Sequence, residues 1–128
     1  MKFAKAAVLL FLSTIFSFAM AGEIKLYDQK LFDQLAQSAK PVVLAIHAPW
    51  CPTCKAQKPI LSALMAAPAY KDVTMMTIDF DSQKPLLSKY KVGMQSTIVA
   101  FKGGKEVGRS VGDTSHDGIE RLIKKTMH

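Results

Sequence analysis

Hydrophobic and polar positions along the chain alternate between two periods, and the switches between them mark out the elements. Glu23 to Tyr27 alternates polar and apolar, the pattern of a short strand with one face covered. Asp28 follows as a candidate N-cap, and Leu31, Phe32, Leu35 and Ala39 fall at helical spacing until Lys40-Pro41 ends the run. Val42-Val43-Leu44-Ala45-Ile46 is short, rich in β-branched residues and not alternating, as expected of a strand buried on both faces in the middle of a sheet. An apolar helical pattern then runs from Ala56 to Ala69, with Ile60, Leu61, Leu64 and Met65 as its stripe. Pro59 sits inside that helix and predicts a kink, and Ala67-Pro68 predicts its end.

The second half reads the same way. Val73 to Phe80 is the next strand, and Pro85 to Tyr90 is a short helix with proline in its first turn. Thr97 to Phe101 and Glu106 to Val111 flank Lys102-Gly103-Gly104-Lys105, a hairpin turn. Thr114 or Ser115 caps a last helix with Ile119, Leu122 and Ile123 facing inward. The order βαβαβαββα, a crossover pair of strands followed by a hairpin, implies an α/β fold: a central mixed β-sheet with helices on both faces.

The first 21 residues change the picture of where the protein works. Lys2 and Lys5 precede an uncharged run from Ala6 to Phe18, and Ala19-Met20-Ala21 fits a small-x-small cleavage site. Residues 1–21 therefore read as a signal peptide and residues 22–128 as a single domain. Charges resume at Glu23, too soon for a spanning helix, so membrane contact is expected only during export. Export points to the bacterial periplasm as the working compartment. Removing the signal takes away two lysines and no acids, leaving 15 cations against 10 acids, a net charge of +5. Those cations are spread along the chain without a clustered, aromatic-interleaved stripe, which argues against a nucleic-acid site.

Candidate chemistry is concentrated in Trp50-Cys51-Pro52-Thr53-Cys54-Lys55, which holds both cysteines of the chain. They lie at a strand-to-helix junction, where a first helical turn leaves backbone N–H groups free to stabilise a thiolate. A static bridge is the competing reading in an oxidising compartment, but a loop of two intervening residues makes a weak staple. Tetrahedral zinc and covalent haem both lack ligands: no second Cys-x-x-Cys exists, no His follows Cys54, and no His pair stands at ligand spacing. No metal and no cofactor is expected.

Ala48-Pro49-Trp50-Cys51-Pro52-Thr53-Cys54-Lys55, Pro59, Ile78-Asp79-Phe80-Asp81, Tyr90-Lys91-Val92 and Thr97-Ile98-Val99-Ala100-Phe101-Lys102-Gly103-Gly104 together resemble the thioredoxin family over essentially the whole mature chain. The resemblance implies a thioredoxin fold, with Cys51 as the exposed attacking thiol and Cys54 as the resolving thiol. The helix junction assigns the same roles, since Cys51 meets the free N–H groups and Cys54, one turn on, points back into the fold. Pro52 suits the first turn because it has no N–H to leave unpaired. Trp50 either shields the pair and offers partners an apolar surface or simply packs.

Three positions depart from the family pattern. The family's buried Asp on the incoming strand, the proton acceptor for the resolving thiol, corresponds here to Ala45. Two positions on stands His47, on the same strand face, a candidate substitute in proton transfer or a packing residue. Ser96 occupies the place of the family's cis-proline. A cis bond before serine costs about 2.5–4 kcal/mol against roughly 0.5–1 before proline, so the loop is either trans and differently shaped or strained. In the family this backbone pairs with substrate, which makes Gln95, Ser96 and Thr97 candidate substrate-binding residues beside Trp50 and Pro52.

The expected function is an exported thiol–disulfide oxidoreductase, monomeric, acting on cysteine-containing exported proteins and recycled by a separate redox partner. Its potential is expected to lie above that of thioredoxin. The alternative is a thioredoxin-like binding module whose cysteine pair is a structural disulfide or a metal site.

Overall fold

The computed structural model describes residues 20–128; the signal peptide read at residues 1–21 lies almost wholly outside them. Five strands, β1 (Glu23–Leu26), β2 (Pro41–His47), β3 (Thr74–Asp79), β4 (Thr97–Lys102) and β5 (Lys105–Val111), form one sheet in the order β1-β3-β2-β4-β5. β3 runs parallel to β1 and β2, and β4 runs antiparallel to β2 and β5, so the sheet is mixed as expected. Helices α1 (Gln29–Gln37), α2 (Pro52–Ala66), α3 (Lys84–Lys89) and α4 (His116–Lys124) complete the fold, with a 3₁₀ turn at Pro68–Tyr70 that the apolar pattern did not reveal. Among the described residues, no helix is long and apolar enough to cross a membrane.

β2 lies at the centre of the sheet, which explains its uninterrupted apolar run. Val42, Leu44 and Ile46 face one core with Phe32, Met76, Leu87 and Phe101, against α1 and α3. Val43 and Ala45 face the other, with Leu61, Met75, Ile119 and Ile123, against α2 and α4. Truncating a side chain such as the fully buried Leu44 to alanine removes about 2–5 kcal/mol. The edge strand β1 is exposed along its whole length, so its alternation did not mark a covered face.

Local chemistry sets the ends of the elements. Asp28 caps α1 by accepting from the Leu31 N–H at 3.1 Å, and Ser115, the second of the two predicted candidates, caps α4 by accepting from the Gly118 N–H at 3.1 Å. α1 stops at Gln37, earlier than its apolar spacing suggested, because Ala39 turns into the left-handed region at φ 53°. Gly103 and Gly104, at φ 59° and 76°, supply the two left-handed positions of the β4–β5 hairpin. Pro59 lies inside α2 without dividing it. The end of β2 and the start of α2 thereby fix the position of the cysteine pair.

Candidate active site

α2 begins at the cysteines. Cys51 is its N-cap, with Pro52 in the first turn, and the Cys51 sulfur accepts from the Cys54 N–H at 3.1 Å. Both cysteines are free thiols. Burial pushes the Cys51 thiol up, but hydrogen bonds from the Cys54 side chain and N–H, the Gln95 side chain and the Thr53 N–H outweigh it, leaving the pKa below the ordinary value. Burial pushes the Cys54 thiol up, and its hydrogen bond to Cys51 and the charge there push it further. The pair is therefore polarised: the first thiol gives up its proton more readily than the second.

Cys51 is the more enclosed of the two, at 1% exposure against 8% for Cys54, which differs from the exposed thiol expected from the sequence. Ala48, Cys54 and the Phe80 ring pack around it. Exposed apolar surface lies instead on the neighbouring residues. Trp50, directly before Cys51, is 56% exposed, and Met94, directly before Gln95, is 53% exposed. The Trp50 ring is held edge-on to Phe80 at 6.4 Å, and its Nε1 donates to Asp81 Oδ2 at 2.8 Å. The ring is thus fixed by packing and a hydrogen bond and keeps an open face. Asp81 was visible in the sequence only as part of a motif; its partner became evident through the fold.

The bond before Ser96 is trans, as are all peptide bonds of the described residues. Ser96 instead takes φ 56°, a left-handed conformation that costs a non-glycine residue of order 1–3 kcal/mol. Its surroundings hold it there. The Ser96 N–H donates to the Ile46 carbonyl at 2.8 Å, its carbonyl accepts from the Gly112 N–H at 3.0 Å, and its hydroxyl donates to the Gln95 carbonyl at 2.6 Å. Thr97 is 1% exposed and its hydroxyl donates to the Met94 carbonyl at 2.6 Å, which closes the loop on itself. Of the three candidate residues here, Gln95 is the one whose side chain helps to lower the Cys51 pKa.

A solvent-open cavity of about 530 Å³ is lined by β1, β3, the end of β2 and the first half of α2. Ala45, His47 and Cys54 all line it, together with apolar residues including Ile24, Leu61 and Met75. Ala45 presents a small apolar side chain to this space. His47 is exposed at the end of β2, opposite Asp79 in the β2–β3 register, and no hydrogen bond among the described residues joins its ring to either sulfur. Asp79 itself is held below the ordinary carboxylate range by the Ser82 N–H and hydroxyl, against some desolvation, with further help from the Asp81 N–H and the His47 charge.

The arrangement places two free thiols within one turn at the start of α2, beside an apolar rim. The family model "Thioredoxin" matches residues 23–125. Thioredoxin of Chlamydia trachomatis is 39% identical over 84 residues, covering 66% of this chain and 80% of that protein. Mitochondrial thioredoxin of Mus musculus is 36% identical over 93 residues, 73% of this chain and 55% of that protein, so the chain spans about half the length of that relative. The crystal structure of Trxlp from Edwardsiella tarda superposes with a TM-score of 0.75 at 36% identity, covering 78% of this chain and 97% of that one.

Proposed function

The chain belongs to the thioredoxin family of thiol–disulfide oxidoreductases, and from that premise we propose that it is an exported member, working in the bacterial periplasm on cysteine-containing exported proteins. The observation that carries the chemistry is the placement of both free thiols within one turn at the start of α2, where the Cys51 sulfur accepts from the Cys54 N–H; the lowered Cys51 pKa and raised Cys54 pKa agree with it. The Cys51 thiolate attacks one sulfur of a partner disulfide, forming a mixed disulfide and releasing the partner's other sulfur as a thiolate. Cys54 then gives up its proton and attacks Cys51 Sγ, forming the Cys51–Cys54 disulfide and releasing the second partner thiolate. Two electrons pass to the partner, and the same steps in reverse oxidise a partner dithiol.

His47 serves as the proton acceptor for Cys54 across the shared cavity, in place of the acid that Ala45 lacks. Trp50, Pro52 and the Gln95–Thr97 loop frame the partner segment. Pro52 directly after Cys51 and the absence of an acid at Ala45 support a potential above about −270 mV, the value for thioredoxin; equilibration with glutathione buffers measures it, and a value at or below that figure refutes this part. A separate reductant or oxidant must restore the pair after each cycle.

Insulin reduction by the wild type, abolished in Cys51→Ser and replaced by trapped mixed disulfides in Cys54→Ser, tests the exchange. Full activity in both variants would refute it and favour a binding module. Export is tested separately by the N-terminal sequence of the protein recovered from the periplasmic fraction, expected to begin at Gly22.

A further inference from the structure

Gln57 is the buried polar side chain of α2, 3% exposed in a helix whose other buried members are Cys54, Leu61, Leu64 and Met65. A carboxamide is unfavourable in such a place unless its polar atoms find partners. Its Nε2 donates to the Ser96 carbonyl at 3.1 Å and to the Asp113 carbonyl at 2.9 Å. Two carbonyl oxygens facing one atom of the amide identify that atom as the nitrogen, and both of its hydrogens are used.

The two carbonyls belong to segments 39 and 56 residues away in sequence. One is the loop that carries Gln95 and Ser96 beside the cysteines. The other is the turn between β5 and α4. These segments also bond to each other through the Gly112 N–H and the Ser96 carbonyl, so the Ser96 oxygen takes two donors, from Gly112 at 3.0 Å and from Gln57 at 3.1 Å. Gln57 follows Cys54 by three residues and shares its side of α2, so its amide and the resolving thiol form one rigid unit. Ser96 is held at φ 56° without glycine's freedom, and the Gln57 amide holds it from the α2 side.

We propose that Gln57 is a positioning residue of the dithiol site: by tying Ser96 and Asp113 to α2 it sets the distance of the Gln95–Ser96 segment from both sulfurs, and with it the reactivity of Cys51. The proposal takes the dithiol to be the reactive centre, as in the function proposed above. Gln95, whose side chain helps to lower the Cys51 pKa, lies directly before the Ser96 that Gln57 anchors, which links the tie to the reactivity it would tune. No other polar side chain of α2 spans from the helix to both loops among the described residues.

The test is the pH dependence of iodoacetamide alkylation of the reduced full chain, comparing wild type with Gln57→Leu, which keeps the bulk and removes both donors. Leu64→Ala serves as the control, a buried change in the same helix that touches neither loop. Gln57→Leu is expected to shift the alkylation midpoint upward and to slow the reaction near pH 7 about tenfold, the effect of one unit in thiol pKa, while Leu64→Ala leaves the midpoint in place. A Gln57→Leu profile within twofold of wild type overturns the proposal, as does an equal shift in Leu64→Ala. If Gln57→Leu fails to melt cooperatively, Gln57→Met replaces it in the same comparison. Alkylation reads the site without a protein substrate, so a wild type that is alkylated normally but does not reduce insulin refutes the proposed function and leaves this inference standing.

Discussion

Replacing Ala45 with aspartate restores an acid to the wall of the cavity that Cys54 shares. Ala45 is 7% exposed on the central strand, and the cavity of about 530 Å³ has room for a carboxyl group without displacing the core. Its lining is mainly apolar, so the new carboxyl loses hydration and its pKa rises above the usual value near 3.9. A raised folded-state pKa is harmless below the unfolded value and destabilising as pH rises through the folded one. The stability deficit against wild type should therefore be small near pH 4 and larger at pH 7, where burying the group costs about 1–3 kcal/mol. At roughly 4 °C of melting temperature per kcal/mol, the deficit is readable in a thermal scan at each pH. The kinetic effect has the opposite sign. A base beside Cys54 takes the proton that the thiol must lose before it attacks Cys51, and positioned bases contribute up to about 10²–10⁴-fold. The assay is the release of a chromogenic thiolate from a mixed disulfide preformed on Cys51, which isolates the second step. Ala45→Asp is expected to accelerate that step at least tenfold near pH 7, and Ala45→Asn, similar in size but not a base, is expected to lose stability without gaining rate. A folded Ala45→Asp protein that resolves the mixed disulfide no faster than wild type would refute the reasoning that a carboxylate at position 45 takes the Cys54 proton faster than His47 does.

Three further outcomes follow from the geometry. Asp79 accepts from the Asp81 N–H at 2.9 Å and from the Ser82 N–H and hydroxyl at 2.8 and 2.9 Å, and its pKa is lowered; this contributes stability present above the unfolded carboxylate pKa of about 3.9 and lost as pH falls through the folded one, so urea titrations should show the gap between wild type and Asp79→Asn closing as pH drops from 5 toward 3. Gly118→Ala puts a Cβ 2.1 Å from Asp113 Oδ2 and 2.6 Å from the Ser115 Oγ that caps α4, so it should lose the cap, worth about 1 kcal/mol, and lower the unfolding free energy from urea titration by at least that much. Ser96→Gly relieves a left-handed serine but gives up the hydroxyl bond to the Gln95 carbonyl; backbone relief of the order of 1 kcal/mol and one hydrogen bond of similar worth should leave stability within about 1 kcal/mol of wild type, while the Cys51 alkylation profile moves if the loop relaxes.

Most of the fold is legible in the chain because periodicity and end chemistry are local. The uninterrupted Val42 to Ile46, the cap at Asp28, the Gly103-Gly104 turn and the order of elements all follow from residues within a few positions of one another. What escaped was set by neighbours far away in sequence. The 3₁₀ turn at Pro68–Tyr70 has no periodic signature, and the exposure of β1 follows from its place at the sheet edge, which alternation does not report. In the site, the cysteines and the departures at Ala45, His47 and Ser96 were visible at once. Gln57 was not, because a polar residue in an amphipathic helix reads as solvated until its burial and its two carbonyl partners are known.

The amino-acid sequence alone determined the chemistry of this protein: two thiols one helical turn apart at the start of a helix can form a thiolate, a mixed disulfide and an internal disulfide, whatever surrounds them. Tertiary structure decided the setting of that chemistry. The enclosure of Cys51, the cavity behind Cys54, the trans left-handed Ser96 and the Gln57 tie all depend on segments that meet only when β2, β4 and α2 pack together. Bond formation depends on atoms fixed by residue type, whereas pKa, access and loop height depend on burial and hydrogen bonds across the fold.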